Sequence, residues 1–147
     1  MDYDISFEEE IKNYGKIKGN ISICLKKPIK CVGRVYYEVY NFEKNPDLPP
    51  GKNGRTNHIL IEKIDSYLDG FGIGSILLEE LEKRAYCHEI LRITGRFGPR
   101  EDKVEDLKRF YLKNGYSVDL ETEKIEKNLV PVFIDSNVEE QNSLVRK

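Results

Sequence analysis

The sequence predicts a mixed α/β (α+β) fold, a single domain built on one mostly antiparallel sheet with flanking helices. Three observations predict it. Six short runs rich in β-branched and aromatic residues lie between clusters of turn-forming residues. Around the fourth of these runs, apolar residues switch to the three-to-four-residue recurrence of amphipathic helices. And 147 residues, 39% hydrophobic with nine tyrosines and six phenylalanines, suffice to bury a core, which separates this chain from disordered ones despite 34% charged residues.

Residues 6–13, SFEEEIKN, predict a short helix, with Ser6 as N-cap and Glu9 three positions on as its capping-box partner. The rest of segment 1–16 is poorly defined. KIKGNISICLKK and KCVGRVYYEVYNF flank KPIK and predict an antiparallel pair. NPDLPPGKNGRTN is crowded with Pro, Gly and Asn, so it predicts a surface loop. HILIEKID is a third strand. From Gly74 onward, Leu77, Leu81 and Ala85 continue a four-residue recurrence from Ile73, with Ile76 and Leu78 beside them and charged residues opposite. The strand EILRITGRF follows, and a helical crossover of this length favours a parallel pairing with HILIEKID. Residues 101–114 predict a second helix, acidic at its start and closed by Asn114–Gly115. YSVDLETE and NLVPVFID supply two last strands, and 136–147 is a polar, flexible tail.

A formal net charge of −2 argues against nucleic-acid partners, which call for a clustered basic surface. Cys24, Cys31 and Cys87 show no C-x-x-C spacing, and with only His58 and His88 beside them no metal set can be drawn. No apolar run approaches membrane-spanning length and the N-terminus has no signal-peptide pattern. The expectation is a reduced, cytoplasmic protein with no membrane partner.

The stretch DGFGIGSILLEELEKRA, residues 69–85, carries the functional signal. Glycine costs roughly 0.5–1 kcal/mol relative to alanine inside a regular element, so Gly70, Gly72 and Gly74 just before a helix need a reason. A helix N-terminus presents unpaired N–H groups and about half a positive charge, and a diphosphate can reach them only where no Cβ intervenes. A tight glycine-rich turn would leave the same pattern. The P-loop is excluded because no lysine follows Gly74, and the G-x-G-x-x-G fingerprint fails at Ser75.

A second motif narrows the choice. GIGSILLEELEKRA, followed by FYLKNGY at residues 110–116, resembles the GNAT superfamily of acetyl-CoA-dependent N-acetyltransferases, and CVGRVYYEVY resembles that family's preceding strand. The resemblance covers residues 20–120. It implies a GNAT-like sheet with splayed central strands, acetyl-CoA as co-substrate, no metal, and an amine-bearing acceptor, small molecule or protein. The backbone of Glu62, Lys63 and Ile64 would hold pantetheine, and Gly70, Phe71, Gly72, Ile73, Gly74 and Ser75 the pyrophosphate. Tyr111 occupies the family's acid position, although a tyrosine on an amphipathic helix can equally be a core residue. For the base, His58, Glu62 and water remain open. Strict alternation would put His58, Leu60, Glu62 and Ile64 on one face of their strand. His58 could also be a solvent-facing strand-end residue.

Three departures from the family pattern stand out: Asp69 replaces an Arg or Gln, Val104 replaces an asparagine, and the usual N-terminal strand and helices are cut short. The expected function is acetyl transfer from acetyl-CoA to an amine by direct attack in a ternary complex; the alternative is a catalytically degenerate CoA-binding or regulatory module. A homodimer could complete the shortened acceptor pocket.

Overall fold

Alternation of apolar and polar residues draws the first 40 residues into a three-stranded meander. The structure, a computed structural model, describes residues 2–51, 53–68, 70–96 and 103–131. Strands β1 (Tyr3–Ile11), β2 (Ile17–Lys26) and β3 (Ile29–Tyr40) pair antiparallel, β4 (His58–Ser66) adds to β3, and helix α1 (Ile73–Cys87) crosses to β5 (Arg92–Arg96), which runs parallel to β4. Helix α2 (Val104–Lys113) leads to the hairpin of β6 (Ser117–Asp119) and β7 (Lys124–Asn128). The order across the seven-stranded sheet is β1-β2-β3-β4-β5-β7-β6. Among the described residues no helix is long and apolar enough to cross a membrane.

Two expectations are corrected. Residues 6–13 do not form the expected helix: 6–11 lie in β1, and Asn13 opens a single 3-10 turn, Asn13–Gly15. Tyr3, Ile5, Phe7 and Ile11 alternate with Asp4, Ser6, Glu8 and Glu10, and this period of two, paired along all of β2, outweighs the local capping signal. The final strand runs through KIEKN, residues 124–128, rather than NLVPVFID, of which residues 132–135 lie outside the described residues, as does the predicted tail.

Helix α1 buries Ile73, Leu77, Leu78, Leu81 and Ala85 against Ile21, Val35, Ile59 and Ile93 of the sheet. Each such side chain contributes roughly 1.5–3 kcal/mol of burial. Close approach depends on glycine at Gly33, where a Cβ would stand 2.4 Å from Ile73.

The row Glu9–Gly19–Tyr37 ties the edge strand to this core. Because Gly19 has no side chain, the Tyr37 ring lies across β2 and its hydroxyl donates to Glu9 on β1. From α1, Arg84 donates to the same carboxylate at 3.0 Å, and His88 Nε2 lies 2.9 Å from it. Burial opposes charge on Glu9, but the bonds from His88, Tyr37 and Arg84 outweigh it and hold its pKa down at about 2.

The opposite face of the sheet is polar. It carries Arg34, Tyr36, Glu38 and Tyr40 of β3 with Lys18 and Ser22 of β2, and the 41–57 loop folds over one end, where Phe42 and Leu48 pack with Tyr40 and Leu60.

Candidate active site

Where β4 meets β5, the ladder is short. Ile59–Ile61 pair with Ile93–Gly95, and β4 then continues for five residues to Ser66, while the described part of β5 reaches Arg96. Glu62, Lys63 and Ile64 therefore pair with nothing on the β5 side among the described residues. Their other edge is in register with β3, and a bulge falls at Glu62: Tyr36 opposes Lys63 and Tyr37 opposes Ile61, leaving Glu62 without a partner. The bulge breaks the alternation expected for this strand. Ile59, Ile61 and Ile64 all pack on the main core, whereas Glu62 reaches the polar face.

The open edge of β4 leads to the start of α1. Gly72 caps the helix in the left-handed region (φ 66°), and no side chain caps the N–H groups that follow. Among the described residues, Gly70 (φ 85°) and Gly72 have no atoms within 4 Å of where a Cβ would project, so the bend is an open cradle that side chains would fill. A diphosphate fits there on both counts. Gly74 is a different case. Its Cβ would stand 2.8 Å from the Phe110 ring, so glycine is required there by helix packing rather than by an approaching ligand. Phe71 is exposed, Ile73 is buried, and Asp69 lies outside the described residues. Beside the cradle a cleft of about 470 Å³ runs along α1 from Ser75 and Ile76 to Glu82, bounded by Lys113 and Lys127.

The residues expected to do acid–base work are not all brought together. Tyr111 is 3% exposed, edge-on to Phe110 and Tyr116, and burial pushes its pKa up to about 12. His58 does not face solvent: it is 1% exposed and stacks on Tyr40 at 4.7 Å. Its Nδ1–H donates to the Thr56 carbonyl at 2.7 Å, which leaves Nε2 unprotonated in the neutral ring, and burial lowers its pKa. Glu62 is exposed at the surface, and its pKa is raised, first by the partial burial of its carboxylate and then by the charge of Glu38.

Glu38 was missed from the sequence. It is 6% exposed, accepts from the Tyr40 hydroxyl at 2.6 Å, and pairs with Lys16 at 3.4 Å and Lys18 at 3.3 Å. The available signal was a lone carboxylate inside the apolar, aromatic run VYYEVY. Next to this cluster a second cleft, about 400 Å³, lies between Tyr14, Lys16 and Lys18 on one side and Tyr40, Leu48 and Pro49 on the other. Among the described residues no three His, Cys, Asp or Glu side chains are grouped to hold a metal ion.

Strand order, a short parallel β4–β5 ladder beside an uncapped helix start, and helices before and after β5 in the chain are together the architecture of the GNAT N-acetyltransferases, and this chain has that fold. It is similar to a GNAT-family acetyltransferase structure from Desulfovibrio desulfuricans, with a TM-score of 0.58 at 9% identity over 86% of this chain and 100% of that one. It also resembles the PaiA N-acetyltransferase of Thermoplasma acidophilum solved with coenzyme A (TM-score 0.54, 18% identity, 74% of this chain and 59% of that one). A third likeness is to Arabidopsis thaliana Naa50 bound to a bisubstrate analogue, CoA-Ac-MVNAL (TM-score 0.52, 17% identity, 75% and 72% of the two chains). No family model matches the sequence, and no curated protein matches it significantly.

Proposed function

We propose that the protein is an N-acetyltransferase that moves an acetyl group from acetyl-CoA to an amine by direct attack in a ternary complex. The observation that carries this reading is the edge of β4, unpaired among the described residues, followed by a helix start that no side chain caps and that has glycine at Gly70 and Gly72. In this reading the backbone of Glu62, Lys63 and Ile64 pairs with pantetheine as an added strand would. The N–H groups of the Gly70–Ser75 segment receive the diphosphate, with Gly74 contributing backbone only.

Glu62 is assigned as the base that takes the proton from the amine. It stands at the bulge where the gap begins, and its raised proton affinity moves it towards the range a base needs at neutral pH. Tyr111, whose proton is held up to about 12, is assigned as the donor to the departing thiolate. His58, sealed beneath Tyr40, takes no part in the scheme. The amine enters from the polar face, past Tyr40 and Lys18.

Glu62→Gln is expected to lower kcat/KM by about 100-fold or more, the span for a lost general base being roughly 100- to 10,000-fold. Tyr111→Phe is expected to lower kcat and kcat/KM alike. A screen of amine acceptors with free-thiol detection tests activity and acceptor class together. The core placement of Tyr111 favours a second reading, a CoA-binding module without chemistry. Acetyl-CoA binding with no thiol release from any amine would support it, and no binding at millimolar acetyl-CoA would overturn both.

A further inference from the structure

The polar face holds two carboxylates with one ammonium between them. Lys18 Nζ lies 3.3 Å from Glu38 Oε2 and 3.5 Å from Glu62 Oε2. The two acids are otherwise unlike. Glu38 is buried and fixed by the Tyr40 hydroxyl and the Lys16 ammonium, whereas Glu62, 35% exposed at its side chain, sits on the bulge with Lys18 alone.

We propose that Glu38 is a positioning residue for Glu62: its buried carboxylate competes for the Lys18 ammonium and so governs how strongly Glu62 holds a proton. The proposal deepens the reading of Glu62 as the base and rests on it. The groups facing Glu62 are Lys18 from β2, and Glu38 and Tyr40 from β3, with Lys16 of β2 paired to Glu38 and His58 of β4 stacked on the Tyr40 ring. Burial works against a charged Glu38, but the Tyr40 hydroxyl and the two ammoniums outweigh it, so Glu38 stays ionised. Glu62 then faces a fixed negative charge and only a share of one cation. Two acids whose surroundings push them apart in this way divide into a permanent anion and a proton acceptor. The register makes the arrangement: Lys18 and Leu60 both lie opposite Glu38, so the three strands set the spacing.

The test is the titration of Glu62 followed by carbon-detected NMR of its carboxyl group in the ligand-free protein, alongside the pH profile of kcat/KM. Glu38→Gln, which keeps the shape and the Tyr40 bond, is expected to move the Glu62 midpoint down, and Lys18→Met to move it up. The acidic limb of the rate profile should follow in each variant. A Glu62 midpoint that stays put, or that moves the same way in both variants, overturns the proposal, as does a rate limb that ignores a midpoint that has moved. Opposite midpoint shifts in a protein that acetylates no amine would refute the acyl-transfer reading and still support the control of Glu62 by Glu38.

Discussion

Two glycines in left-handed backbone separate ligand binding from strain. Gly72 (φ 66°) and Gly54 (φ 72°) both occupy the region L-residues avoid, and among the described residues neither has an atom within 4 Å of a projected Cβ. Alanine at either should cost about 1–2 kcal/mol of stability for the same reason. Only Gly72→Ala places a methyl group in the proposed diphosphate cradle, so it alone should weaken acetyl-CoA binding by calorimetry. Equal affinity in the two variants would contradict the cradle. Gly74→Val, by contrast, is expected to destabilise the fold by about 1–3 kcal/mol through collision with Phe110, and Phe110→Leu should recover part of that loss in thermal melts. The acidic limb of kcat/KM is expected above the ordinary glutamate range, because Glu62 must be deprotonated to act and its pKa is raised. A limb at the ordinary value would detach Glu62 from the mechanism.

At the scale of elements, β1, already paired along its length with β2, is tied to Tyr37 of β3 and to α1 through one carboxylate. Glu9 has a folded pKa of about 2 against an ordinary 4.5, a depressed value, so its stabilisation is complete above pH 4.5 and is lost as pH falls through 2. The shift corresponds to roughly 3 kcal/mol. Glu9→Gln should lose about 2–3 kcal/mol in urea unfolding at pH 7, and its gap from the wild type should close near pH 2. A gap independent of pH would mean that the ion pair does not hold the strand. This element also shows where sequence reading failed. SFEEE carries an N-cap, a capping-box acid and good helix formers, all local signals. The alternation of Tyr3, Ile5, Phe7 and Ile11 opposed those signals locally, and what decides between the two is nonlocal: β1 pairs along its length with β2, and Gly19 leaves room for Tyr37 to reach Glu9. By contrast α1 was legible, because its period, its buried positions and its glycine entrance all lie within one stretch of chain.

For the whole molecule, binding should be visible as stability. Acetyl-CoA at 100 times its dissociation constant should add about 2.7 kcal/mol and raise the thermal midpoint by several degrees. The sequence disclosed the strand–helix–strand unit and both motifs that frame the site, but not the geometry of the acid–base groups. Simple alternation placed Ile64 beside Glu62, and the bulge, which depends on pairing with β3, moved it into the core. In the same way Glu38 matters only because register sets it against Lys18, a relation between strands twenty residues apart.

The β4–β5 joint has a further consequence. The four strands before it form a meander of neighbouring segments, and among the described residues the strands that follow, β5 and the β6–β7 hairpin, join that meander within the sheet only through the short parallel ladder. A molecule wedged into that joint bridges both parts, so amide deuterium uptake should slow on the two sides together when it is loaded, not merely at the residues it touches.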